Sequence, residues 1–302
     1  DIETEIADLE ARLAVAKSRL ARQPSLQPPS LSASLHPLLL LADSALPLGS
    51  FAFSSGLESY LAHQRLRSPT FTQSQQQQSF QSFLQLSVAS LASTALPYVL
   101  AAYKEPGRLR DLDNDYDAII LCNVARRASV AQGKGLLSVW ERSFCGGYAS
   151  SSDPRISDAV SAFTKFHQQL RSAPHRALNS SLAPQDGEGS DDWDLPLNAH
   201  LAPLWGVLTL ILGLSPQDSA YLFLFSHIRT VVSAAVRASV LGPYQAQAVL
   251  SSGGVQKLIR EKMAGWWDVG WSGKTEEAGQ VVPVMDLWVG RHEILYSRIF
   301  NS

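Results

Sequence analysis

The most apolar stretch of this chain, Leu204 to Phe225, is interrupted by Ser215-Pro216-Gln217-Asp218, and that interruption constrains the fold more than any other feature. A helix that crosses a membrane needs about 20 uninterrupted apolar residues. Here the break itself reads as a helix start. Ser215 is a good N-cap, Pro216 suits the first helical position, and Asp218 at the third can take the capping-box role of Glu. The stretch therefore predicts two successive buried helices. One runs from Ala199 to Gly213, the other from Pro216 to about Val240, where Gly242-Pro243 stops it.

Periodicity predicts helices elsewhere too. Leu38 to Leu41 opens the main domain. Pro47, Gly49 and Gly56 punctuate a loop before a helix from about Leu57. The Gln-rich run Ser74 to Ser79 reads as the polar start of a helix, because Phe80, Phe83, Leu84 and Val88 follow at helical spacing. Further helices are expected over 116–140, 155–171, 245–251 and 254–264. The Trp- and Gly-containing stretch 265–280 and the acidic stretch 184–194 are expected to be inserted loops. Strand-like alternation is nearly absent. The expectation is one all-α, multi-helix bundle domain over 35–302. An amphipathic helix and a Pro/Ser-rich linker over 1–34 precede it. There Ile2, Ile6, Leu9, Leu13, Ala16 and Leu20 recur at the a/d spacing of a coiled coil. So short a helix is marginal alone, so docking on its own domain and self-association both stay open.

Composition narrows the function. With 25 basic and 27 acidic residues and a net charge of −2, the chain has no electrostatic footprint for nucleic acid. Its two cysteines, Cys122 and Cys145, are too few for a disulfide framework and fit a reducing compartment. Residues 1–23 alternate charged and apolar positions, unlike a secretory leader. The expected location is the cytoplasm, with no membrane partner.

Enzyme motifs come close and fail on decisive residues. Gly273-Lys274-Thr275 resembles the end of a phosphate loop, but Asp268 stands where that loop needs Gly. His292-Glu293 resembles the start of a zinc-protease helix, but Tyr296 replaces the second ligand. No CxxC pair and no G-x-S-x-G elbow occurs. No catalytic residue, cofactor site or metal site is assigned.

Three segments carry a resemblance. Leu38 to Leu61 contains P-x-G-x-F-x-x-S-x-G-L-E as Pro47, Gly49, Phe51, Ser54, Gly56, Leu57 and Glu58. Ala199 to Leu250 carries Pro203, Gly206, Leu214, Ala235, Arg237, Leu241, Gly242 and Gln247. The C-terminus carries His292, Tyr296, Ser297, Arg298, Phe300 and Ser302, and the middle matches loosely at Arg126, Arg127, Ala128, Ser129 and Gly133. In this order the segments resemble the UreF family of urease accessory proteins. The chain departs from that family at Gly242-Pro243-Tyr244-Gln245-Ala246-Gln247, where only the ends of G-Q-T-x-G-Q remain. The added segments point to a eukaryotic member, with a fungal one as first candidate.

The resemblance implies a non-catalytic adaptor in nickel insertion into apo-urease. Such an adaptor bridges a UreD/UreH-type partner and a UreG-type GTPase and controls GTP-dependent delivery. It also implies a homodimer, and nickel only in transit, through contacts too weak to trap the ion. Pro47, Gly49, Phe51, Ser54, Gly56, Glu58, Arg126, Arg127, Arg237, Gln247, Arg291, His292, Tyr296, Ser297, Arg298 and Phe300 are then candidates for partner contacts. In the first segment Phe51 and Phe53 are expected to anchor the turn, and Glu58 to sit near a helix start. For the C-terminal tail two readings compete: Ile294, Leu295, Ile299 and Phe300 tuck into the protein's own core, or, the favoured one, the tail is held ready and orders on the UreD-type partner. Two alternatives remain: a more general GTPase-activating protein, with Arg126, Arg127, Arg237 or Arg298 as an arginine finger, and an all-α enzyme with a buried bundle site.

Overall fold

A computed structural model describes residues 34–67, 72–148, 153–180 and 197–301, with isolated positions between 2 and 17. Among the described residues the chain is helical and contains no strand. The order is α1 (Leu35–Ala42), α2 (Leu57–Arg67), α3 (Gln73–Thr94), α4 (Leu96–Lys104), α5 (Leu109–Ile119) and α6 (Asn123–Val139). Then follow α7 (Pro154–Ser180), α8 (Leu201–Ile211), α9 (Pro216–Arg237), α10 (Pro243–Ser251), α11 (Gly253–Ser272) and α12 (Pro283–Arg291). The acidic stretch 184–194 and most of the linker before Ser34 lie outside the described residues.

Two short helices form the axis. In α4 every residue from Leu96 to Tyr103 is buried, and in α8 every residue from Ala202 to Ile211. A helix apolar all round belongs inside a bundle. Gly206 lets the two axes approach closely, because a Cβ there would overlap the Val99 carbonyl oxygen. The other helices wrap this pair. By length and hydropathy, Gln73–Lys104 and Pro216–Arg237 could cross a membrane, but 67% and 56% of those windows are buried here, as expected of core helices.

The predicted N-cap at Ser215 is present, but Asp218 takes the Ser215 hydroxyl, not the backbone N–H that a capping box would engage. Ser215 Oγ accepts from the Asp218 backbone N–H at 3.0 Å and donates to Asp218 Oδ2 at 2.7 Å. The Gln-rich run starts α3 with a full capping box between Thr72 and Gln75, and Phe80, Phe83, Leu84 and Val88 are buried on that helix.

Two expectations are corrected. The helix expected over 116–140 is two, because α5 ends at Ile119 and α6 begins at Asn123. The break lets Arg126 fold back and donate to the carbonyls of Asp117 and Ile120, acceptors that a helix end leaves unpaired. The stretch 265–280 is not a loop throughout, because α11 continues to Ser272 and only 273–282 leaves it, through a 3-10 turn at Thr275–Glu277. Gly265 suggested a break, yet Val255, Ile259, Trp266 and Gly270 keep a core-facing stripe. Gly270 sits against Pro97 at the start of α4. Lys104 Nζ donates to the Trp271 carbonyl at 2.8 Å, and Gly273 ends the helix in the left-handed region at φ 77°.

Candidate functional site

The first motif segment makes a compact turn. Gly49 and Gly56 take positive φ values of 71° and 86°. At Gly56 a side chain would also press on the backbone of Trp288 and Val289 in α12, so the position needs both the left-handed conformation and the absence of Cβ. Ser54 is buried, and its Oγ accepts from the Glu58 backbone N–H at 3.4 Å. Glu58 thereby stands in the first turn of α2, where a carboxylate is favoured.

That carboxylate gathers the C-terminus. It accepts from His292 Nε2 at 2.8 Å, the Ile299 N–H at 2.7 Å and the Phe300 N–H at 3.2 Å. The Asn301 N–H reaches the Ala52 carbonyl at 2.8 Å. Arg237, at the end of α9, closes the assembly. Its guanidinium lies over the Phe300 ring, 4.3 Å from the centroid, and donates to the Phe51 carbonyl. Burial lowers the Arg237 pKa from its ordinary value. Arg127 on α6 pairs with Glu293, and the Ser50 hydroxyl donates to Gln132 Oε1 at 2.8 Å. Segments more than 230 residues apart in sequence thus meet on one face.

This geometry corrects two expectations. Phe51 does not anchor the turn, because it is 67% exposed; its carbonyl, not its ring, is held. The tail is already docked: Phe300 is 4% exposed and His292 is buried. Ile294, Tyr296 and Ile299 remain exposed. Arg291, Ser297 and Arg298 also face outward, so the charges interleaved along the tail stay in solvent while one aromatic enters the core. Pro47 is exposed at the start of the turn. Arg126 stands apart, tied to Asp117 at 3.1 Å. Gln247 is exposed on α10 and takes no part in the tail contacts.

Beside this surface lies a cavity of about 200 Å³. Ser50, Ser87, Gln132, His227, Gln280 and Asp286 supply polar groups to its wall, and Tyr116, Trp205 and Phe223 supply much of its apolar lining. His227 bonds Ser87 Oγ at 2.8 Å, and burial pushes its pKa down to about 4, so it is neutral near pH 7. Burial raises the Asp286 pKa, opposed by the bond from Gln280 at 3.1 Å. The sequence reading missed both. His227 lies in the apolar run of α9 and Asp286 between Met285 and Leu287, with no spacing that links them. Among the described residues no group of three His, Cys, Asp or Glu side chains could hold a metal ion.

A second polar cluster is structural. Asp113 accepts from the backbone N–H groups of Asn198, Ala199 and His200 at 2.7–3.1 Å and so positions the start of α8. His200 is held between Asp117 and Ser129, both at 3.0 Å. Gly133 allows the approach, since a Cβ there would overlap the Ala199 carbonyl oxygen.

The motif turn, the α9 arginine and the tail are thus one physical unit. The UreF family model matches residues 74–253. The chain belongs to the UreF family. It is 33% identical over 267 residues to an uncharacterized urease accessory protein UreF-like of Schizosaccharomyces pombe, covering 88% of this chain and 97% of that protein. It is 28% identical to urease accessory protein F of Oryza sativa subsp. japonica, over 86% of this chain and 82% of the relative. It is also 28% identical to urease accessory protein 6 of Cryptococcus neoformans, over 89% and 97%. The matched stretch contains Arg237, whereas the turn at 47–58 and the tail lie outside it.

Proposed function

We propose that this UreF-family chain is a non-catalytic adaptor in nickel insertion into urease. In this reading it joins a UreD/UreH-type accessory protein to a UreG-type GTPase and governs GTP-dependent delivery. It works in the cytoplasm, as a homodimer with apo-urease as its client. Family membership and the accessory names of the relatives support the role in urease maturation.

The observation that carries the adaptor reading is the docked tail. Ile299 and Phe300, more than 230 residues from the turn, are bound to Glu58, and Phe300 also to Arg237. The tail is thereby held beside the exposed Phe51, with Ile294, Tyr296 and Ile299 also exposed. Rigid, exposed aromatic and apolar side chains are what a protein partner recognises. The cavity supports the cargo part of the proposal. Its hydroxyl, amide and neutral imidazole groups and the Asp286 carboxyl offer a cation contacts along the wall, and a passage needs contacts weak enough to release the ion.

The test is a deletion strain. Urease from it is expected to be folded, poor in nickel and inactive, with activity restored by the chain in trans. Urease with full metal content in that strain would refute the proposal. Of the arginine-finger candidates, Arg126, Arg127 and Arg237 are engaged within the chain, while Arg298 is exposed.

A further inference from the structure

We propose that the cavity beside α12 is a binding site for a small primary amine with an apolar body, held as its ammonium ion. Among the described residues that line it, Asp286 is the one carboxylate, and there is no lysine or arginine. The charge of the wall therefore favours a cation. Size sets the body. A cavity of about 150 Å³ holds a benzene ring, so one of about 200 Å³ admits such a ring with a short arm. Most of the wall is apolar, with Tyr116, Trp205 and Phe223 as its large rings. Aromatic faces attract an organic cation, and the apolar wall covers its hydrocarbon body. A bare metal ion takes nothing from that part of the wall, because it needs oxygen, nitrogen or sulfur ligands.

The groups that would hold the ammonium converge at one end. His227 Nε2 bonds Ser87 Oγ at 2.8 Å. Gln280 Nε2 donates to Ser90 Oγ at 2.8 Å and to Asp286 Oδ1 at 3.1 Å. Ser87 and Ser90 stand three apart on α3, so they are neighbours on its surface. The imidazole and the carboxyl are thus tied to a single turn of α3. Each keeps one atom in reserve. Among the described residues His227 Nδ1 and Asp286 Oδ2 have no hydrogen-bond partner, and neither is sealed from solvent. Burial keeps the imidazole neutral near pH 7, so with Nε2 donating to Ser87 its Nδ1 accepts. Burial also raises the Asp286 pKa, opposed by the Gln280 bond and by no basic side chain. An ammonium group supplies the missing charge and three donors. Other polar side chains of the wall are already satisfied: Ser50 donates to Gln132, and Thr94 and Thr230 donate to carbonyls of their own helices. The site follows from the wall alone and does not depend on the urease reading.

Calorimetric titration of the full chain near pH 7, in metal-free buffer, tests it with three probes of similar shape. Phenethylamine is expected to bind at least about tenfold more tightly than phenethyl alcohol, because hydrogen bonds between charged partners are the stronger ones. Hydrocinnamate, with a carboxylate in place of the amine, is expected not to bind. Asp286→Asn, its fold checked by thermal melting, should bring the amine down to the level of the alcohol. Ala128→Leu takes up space in the cavity and should abolish binding of both. Equal binding of amine and alcohol to the native chain would overturn the proposal, whether or not Asp286→Asn folds. So would the absence of amine binding at millimolar concentration. Amine binding left unchanged by Ala128→Leu would place the ligand outside the cavity and overturn it too. None of these outcomes bears on the nickel content of urease in the deletion strain, so the two readings fail separately.

Discussion

At the scale of single residues, Glu58 does the most joining. Its place at a helix start is legible in the motif, since a carboxylate in the first turn opposes the helix dipole. Its other task was hidden. His292, Ile299 and Phe300 lie more than 230 positions away, and no local pattern announces such a partnership. The same holds for Arg237, which reads from sequence as a basic residue ending a helix and in space covers Phe300. Hydrogen bonds to a charged group contribute roughly 1.5–3 kcal/mol each, so the carboxylate is expected to dominate tail docking. Glu58→Gln keeps the shape and removes the charge. Hydrogen–deuterium exchange of the C-terminal peptide is expected to speed up by roughly tenfold or more, with the core helices unchanged. An unchanged rate for the Ile299 and Phe300 amides would show that Arg237 and the buried ring hold the tail without Glu58.

At the scale of helices, the sequence was most legible where periodicity and caps agree. The Ser215 cap, the Gln-rich start of α3 and the paired core helices all follow from local chemistry. It was least legible where tertiary contacts overrule a local signal. The end of α5 interrupts a stretch with continuous helical spacing, because Arg126 and the buried Asp113 and His200 contacts reward the break. Conversely, α11 runs through Gly265 because α4 supplies a surface for Trp266, Trp271 and Gly270 to cover. A glycine inside a helix costs about 1 kcal/mol relative to alanine, less than burying such side chains contributes. The closest helix contact gives a sharper expectation. Gly206 faces the Val99 carbonyl, so Gly206→Ala gains helix propensity yet forces α4 and α8 apart. Overpacking of this kind costs about 1–3 kcal/mol or more. A lowered melting temperature is expected despite the better helix former, and an unchanged or raised one would mean that the two helices separate freely.

For the whole molecule, the question is whether the tail belongs to the fold or to a partner, and the structure divides that labour by residue. Phe300 is inside, and burying a Phe contributes roughly 1.5–3 kcal/mol. Tyr296 is fully exposed and Ile299 is 65% exposed, so neither contributes comparably to the isolated chain. Their exposure was not legible in the sequence, which alternates apolar and charged residues here without showing which apolar side turns inward. Two variants separate the roles. Phe300→Ala leaves the ring site empty beneath Arg237, so a lower melting temperature is expected, with weaker capture of a UreD-type partner because the tail loosens. Tyr296→Ala combined with Ile299→Ser leaves the Glu58 bonds to the tail backbone in place, so its melting temperature should stay within a degree or two while capture of the partner is lost. Partner binding that survives the surface pair but fails with Phe300→Ala would place the recognition elsewhere on the tail-supported face, with Phe51 and the Pro47–Gly49 turn next in line. Binding that survives both variants would remove the tail from the adaptor role.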